Sequence, residues 1–176
     1  MALVASPNGT YGTGGFESIA SYTFASAASS YTFTSIPQTF TDLRLVINSI
    51  SSTDNFPQLR FGNGSVDTGA NYDRQMFSGN GSTAVAFAES NLTGILCNYN
   101  EMAGANYKYM QISDIFQYTS SKYKTVVTQV GNAANGVGIN ACTWKSTSAI
   151  DTLQCLLNSG NYAIGATLSL YGRKAS

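Results

Sequence analysis

From Phe16 onward, apolar and polar residues alternate in short segments separated by clusters of Gly, Asn and Ser. Ser21-Tyr22-Thr23-Phe24 and Tyr31-Thr32-Phe33-Thr34 alternate at period two, as strands with one buried face do. Asp42 to Asn48, entered just after Pro37, and Gln58 to Phe61, stopped by Gly62-Asn63-Gly64, predict two more. Met76-Phe77 and Ala84 to Phe87 flank the turn-rich Ser78-Gly79-Asn80-Gly81-Ser82. Tyr109 to Phe116 and Tyr123 to Val130 predict longer strands, followed by a Gly- and Asn-rich break over Asn132 to Gly138. Ile139 to Trp144, Ile150 to Leu157 and Ala166 to Tyr171 complete the series.

No window makes a convincing amphipathic helix. The best candidate, Ser18 to Ala28, is rich in serine and in β-branched and aromatic residues of low helical propensity. About eight to ten strands fit an all-β fold, a jelly-roll-like two-sheet antiparallel β-sandwich. The run Asn8 to Gly15 predicts a short flexible N-terminal arm over residues 1–15, ahead of one sandwich domain over residues 16–176. The chain's 176 residues suffice for one sizeable core.

Composition adds a hint of assembly. Charged residues are 10% of the chain, against roughly 25% in ordinary soluble domains. Ser, Thr, Asn, Gly and Tyr must then supply most of the polar surface, which lacks the repulsion that keeps monomers apart. Nine basic residues balance nine acidic ones without clustering, which argues against nucleic acid and against anionic membrane surfaces. The N-terminus does not read as a secretory signal, and no segment is apolar enough for a membrane helix. The expectation is a soluble protein made in a cytoplasm.

Histidine is absent, which removes Ser-His-Asp triads, Cys-His pairs and histidine metal sites. Catalysis would need paired carboxylates among Glu17, Asp42, Asp54, Asp67, Asp73, Glu89, Glu101, Asp114 and Asp151, and nothing marks a pair. The stretch Asp67 to Asp73 spaces acidic and amide oxygens as a calcium loop does, but lacks an EF-hand's density; a hydrogen-bonded turn is the competing expectation. Gly12-Thr13-Gly14-Gly15 lacks the lysine of a phosphate loop. Cys97, Cys142 and Cys155 have no metal-like spacing and read as buried apolar residues, although Cys142 and Cys155 have the placement to face each other across neighbouring strands. Asn-x-Ser/Thr matches at Asn8, Asn63, Asn80 and Asn91 read as turn chemistry. No catalytic, metal or cofactor site is therefore expected.

Two aromatic features point to binding. Trp144 suits the core or an interface, with sugar stacking as the alternative. Tyr99, Tyr107, Tyr109, Tyr118, Tyr123 and Tyr162 lie mostly in or beside polar loops, where tyrosines serve subunit contacts or glycan recognition.

In order along the chain stand Phe33 to Leu43, Leu59 to Gly64, Thr68-Gly69-Ala70-Asn71-Tyr72 and Gly79 to Ser82. Asp114 to Tyr118, Lys122 to Thr125, Trp144 to Ile150, Ser159 to Tyr162 and Leu168 to Gly172 follow. In these pieces the sequence resembles a recurrent β-rich domain of tailed-bacteriophage virion proteins: capsid decoration proteins, head fibres and tail fibres. The resemblance implies a jelly-roll-like sandwich, often trimeric, with no catalytic residues. Two positions depart from it: Arg173 follows Gly172 where an aliphatic residue is usual, and Cys155 replaces an ordinary strand residue.

The leading expectation is a virion structural protein, a capsid decoration (cement) protein whose partner is the major capsid protein or another virion protein. The alternative is a tail-fibre or spike component binding a host glycan through loops such as Asn98 to Asn106.

Overall fold

The alternating segments do form strands. The computed structural model describes residues 15–49, 57–97, 108–132 and 136–174. The expected arm, apart from Gly15, and the loop from Asn98 to Asn106 lie outside the described residues.

Among the described residues thirteen strands run in chain order: β1 (Phe16–Thr23), β2 (Ser30–Phe33), β3 (Asp42–Ser49), β4 (Pro57–Asn63), β5 (Ser65–Val66), β6 (Tyr72–Gly79) and β7 (Ala84–Leu92). Then follow β8 (Ile95–Leu96), β9 (Tyr109–Phe116), β10 (Lys124–Asn132), β11 (Gly136–Trp144), β12 (Thr152–Leu157) and β13 (Thr167–Arg173). No helix occurs among the described residues. The serine-rich stretch from Ser18, weakly suggestive of a helix, lies in β1 and the turn after it.

One sheet has eight strands in the order β1-β13-β3-β9-β10-β11-β6-β7; the other has five, β2-β12-β4-β5 with β8 also on β4. Pairing is antiparallel throughout. Numbering β1, β2, β3, β4, β8, β9, β12 and β13 from first to eighth, the larger sheet begins first-eighth-third-sixth, and the smaller reads second-seventh-fourth-fifth. That is jelly-roll connectivity.

The remaining strands embellish the jelly roll. The hairpin β6–β7 is inserted between its fourth and fifth strands, and β10–β11 between its sixth and seventh. The two insertions meet where β11 pairs with β6 from Val137↔Gly79 to Trp144↔Tyr72. They thus widen one sheet by four strands on the β9 side.

The core lies between the sheets. Leu43, Leu45, Ile47, Leu168 and Leu170 face Leu59, Phe61, Leu153 and Cys155 in one buried cluster. Each comes from an alternate position of its strand, as the pleat requires. Among the inward positions of β9, β10 and β11, Gln111, Ser113, Thr128 and Asn140 are polar and fully buried. Tyr109 Oη donates to Gln111 Oε1 (3.3 Å), Gln111 Nε2 donates to Ser113 Oγ (3.0 Å), and Ser113 and Thr128 share a bond of 2.8 Å. Asn140 Nδ2 reaches the Cys97 carbonyl at 2.7 Å. Such pairing is what makes buried polar groups tolerable.

Turn residues act as their chemistry dictates. Gly64 takes φ 75° in the hairpin between β4 and β5. The Asn80 side chain accepts from the backbone N–H groups of Ser82 (3.1 Å) and Thr83 (2.8 Å), closing the β6–β7 hairpin. The Gly-rich break expected over Asn132 to Gly138 is narrower than its composition suggests, since β10 and β11 stay paired as far as Asn132↔Gly136. Cross-strand bonding holds Gly131 and Gly138 in the strands despite their low strand propensity, and Gly136 at the turn takes φ 116°.

Candidate binding surface

The outward face of the eight-stranded sheet is the most unusual surface of the molecule. Its strands present Met110, Ile112, Val127, Val137, Ile139, Phe77, Ala86 and Ala88 to solvent. Phe77 is 56% exposed, Met110 55%, Val137 65% and Ile139 45%. Register places Val46, Ile112, Gln129, Ile139, Phe77 and Ala86 side by side in one row across six strands. A depression of about 630 Å³ on this face is lined by Gln75, Phe77, Ala86, Ala88, Val127, Ile139 and Ala141. A continuous apolar patch, unlike scattered exposed residues, marks an interaction site.

The charges on β1, β13, β3 and β9 of the larger sheet are paired across neighbouring strands. Arg44 on β3 grips Asp114 on β9 through Nε–Oδ1 (2.7 Å) and the second nitrogen–oxygen pair (2.8 Å), and its guanidinium lies over the Phe16 ring. Arg173 pairs with Asp42, and Lys174 with Glu17. The first of these gives Arg173, the departure from the phage pattern, a structural task at the end of β13.

At the β6–β7 end, Arg74 is almost wholly buried. It donates to Glu89 (2.6 Å) and to the Leu96 carbonyl (2.8 Å), tying β6 to β7 and β8. Lys145 Nζ donates to Asp73 Oδ1 (2.9 Å) and to Asn91 Oδ1 (2.8 Å). Asp73 and Glu89 do share a small depression of about 250 Å³, but each is neutralised by its own cation. Hydrogen bonding by Lys145, then by the Asn91 N–H, lowers the Asp73 carboxyl below its ordinary value. A general acid needs the opposite shift.

Asp67 and Asp73 are not brought to one centre. Asp67 accepts from Gly69 N (2.8 Å), Asn71 Nδ2 (2.9 Å) and Trp144 Nε1 (2.8 Å), which occupies its oxygens within a turn. No group of three or more Cys, Asp or Glu side chains has metal-binding geometry among the described residues. Asp54 and Glu101 lie outside the described residues; the other seven carboxylates all accept hydrogen bonds or ion pairs.

The aromatic expectations need correction. Tyr109, Tyr118 and Tyr162 are buried, not exposed. Tyr109 falls on an inward position of β9, the Tyr118 hydroxyl donates to the Pro37 carbonyl, and Tyr162 stacks on Phe24 with centroids 4.8 Å apart. Polar neighbours in sequence misled here, because a tyrosine at a strand end or in a short connection is pulled inward by its ring. Tyr123 is 59% exposed; Tyr99 and Tyr107 lie outside the described residues. Trp144 is in the core beside Phe61, with rings 6.0 Å apart.

The three thiols are free and buried. Cys142 and Cys155 do not sit on neighbouring strands: β11 belongs to the larger sheet and β12 to the smaller. Burial pushes the Cys142 thiol up to about 12 and raises Cys97 and Cys155 as well. Such thiols act as small apolar side chains. Asn63 and Asn91 serve turns and ends: Asn63 Nδ2 donates to the Ala149 carbonyl (3.0 Å), and Asn91 takes φ 60°.

Fold and surface together define a jelly-roll β-sandwich that displays an apolar, charge-balanced sheet face. No family model matches the chain. No curated protein sequence matches it either.

Proposed function

We propose that this protein is a structural component of a tailed-phage particle, a capsid decoration protein that binds the assembled head and stabilises it. The observation that carries this reading is the outward face of the eight-stranded sheet, broad and apolar, with its flanking charges already paired. A protein that binds only the assembled shell stabilises it by mass action. The sequence resemblance to phage virion domains and the low charge content point the same way. The reading involves no catalytic step, in keeping with seven carboxylates that are all engaged by partners. Glycan binding by a tail fibre is the weaker alternative, because three of the six tyrosines offered for it are buried.

The test is the copy number of the protein per purified virion, measured by quantitative mass spectrometry against the major shell protein. A fixed ratio to the shell protein supports decoration. A few copies per particle rejects it in favour of a fibre, and absence from the particle rejects both.

A further inference from the structure

We propose that two copies of this chain pack face to face through the outward side of β10, β11, β6 and β7, related by a twofold axis. This face carries a protrusion and, beside it, the recess that can receive one. Phe77 projects from β6, 56% exposed. Next to it Ala86, Ala88 and Ala141 line the 630 Å³ depression together with Gln75, Val127 and Ile139. Alanine side chains end at Cβ, so these three lie lower than the phenyl ring by most of an aromatic side chain. A twofold axis places each Phe77 in the other copy's recess, the reciprocity that isologous packing requires.

Charge favours a copy of the same face. On these four strands the ionisable residues that reach this face are Asp73 and Glu89, at the β6–β7 rim and paired with Lys145 (2.9 Å) and Arg74. Two identical faces therefore meet without like charges opposed, whereas a strongly charged partner would find nothing to pair with. The four strands, spaced about 4.8 Å and about seven residues long, cover roughly 450 Å² per copy. Both faces together, roughly 900 Å², have the size of a weak, reversible interface, below the roughly 1,200 to 2,000 Å² of stable ones.

The pairing occupies the sheet face proposed above to dock on the shell, so the two copies must part before that face binds a capsid. This pairing differs from the trimers implied by the phage resemblance, which would require a surface other than this self-complementary one.

The test is the mass of the full chain in solution by sedimentation velocity across micromolar concentrations. The expected result is a species of twice the 18.6 kDa chain mass. Phe77→Ser, and independently Ala86→Trp to fill the recess, should weaken dimerisation at least tenfold without altering the circular dichroism spectrum. Ile164→Ser, at an exposed position in the connection between β12 and β13, should leave the dimer intact. A monomeric mass at every concentration overturns the proposal. So does an oligomer, dimeric or trimeric, that is indifferent to both substitutions.

Discussion

The indole N–H of Trp144 donates to Oδ2 of Asp67 at 2.8 Å, joining the end of β11 to the turn that follows β5. The ring itself is buried against Phe61, so one residue closes the core and pins a surface turn. The same carboxylate takes the Gly69 N–H and the Asn71 amide, and this explains why an acidic stretch with calcium-like spacing has become a turn. Asp67→Ala should cost about 1–2 kcal/mol, the usual loss when charge-assisted bonds leave a buried donor unpaired. Denaturant unfolding measures it; a loss below about 0.3 kcal/mol would show that the turn holds without the carboxylate.

Acid should destabilise the protein through two of these groups. Burial alone would raise the Asp67 carboxyl, but hydrogen bonds from Trp144, Asn71 and Gly69 outweigh it and lower the group below its ordinary 3.8. Asp73 is lowered by Lys145 and the Asn91 N–H. A carboxyl lowered on folding contributes stability that is full above the unfolded value and disappears as pH falls through the folded one. The melting temperature should therefore decline as pH falls below about 3.8. It should decline less in the Asp67→Asn, Asp73→Asn double variant, and an unchanged pH profile would refute the attribution.

Lys124 is buried with no carboxylate beside it. Its ammonium donates to the carbonyls of Ser120 (2.7 Å), Lys122 (2.5 Å) and Ser146 (3.4 Å), tying the β9–β10 turn to the segment after β11. Lys124→Met keeps the stem but leaves these carbonyls without a donor. We expect a loss of about 2 kcal/mol in chemical denaturation. Desolvation lowers the Lys124 amine on folding, so the folded state binds its proton less tightly than the unfolded chain. The wild type should gain slightly in stability as pH rises toward the lysine's ordinary 10.5, a gain that Lys124→Met should lack.

Gly172 has no space for a side chain. A Cβ there would overlap the ring of Phe40, which packs flat on the last turn of the pleat in β13. Gly172→Ala should cost about 1–3 kcal/mol by overpacking, and Phe40→Leu should recover part of it in the double variant. Equal melting temperatures for Gly172→Ala and wild type would contradict the packing.

The buried thiols give a test of the fold that needs no mutation. Cys97, Cys142 and Cys155 lie in the core with raised pKa values, Cys142 at about 12. Native protein should leave all three unmodified by iodoacetamide near neutral pH, and denaturant should release all three for reaction. Rapid labelling of the native protein would mean that the core opens readily.

Period-two alternation was enough to identify the all-β class and most strands, because the pleat puts every second side chain on the same face. The strands at Asp42 and Tyr109 begin where their patterns do, whereas β11 begins at Gly136, ahead of the pattern that starts at Ile139. The two-residue strands β5 and β8 carry no pattern, since so short a pairing is selected by β4 alongside and not by local preference. A jelly-roll-like sandwich was suggested by strand number and turn spacing, but strand order was not, because pairing between strands as distant as β1 and β13 is a long-range choice that local sequence does not encode.

The candidate surface is where sequence fell short. Exposed apolar residues such as Phe77, Met110 and Ile139 look, in one dimension, like any half-buried alternation. Their strands have two plausible faces, and only the packing of the smaller sheet on one side decides which one is covered. The same ambiguity hid the burial of Tyr109, Tyr118 and Tyr162. The sequence by itself determined the all-β class, the turn chemistry of its Gly and Asn clusters and the absence of histidine chemistry, because these depend on residue type and local geometry. Only the tertiary structure decided which residues form the broad apolar face and which acids pair with which cations, because distant strands must first come side by side.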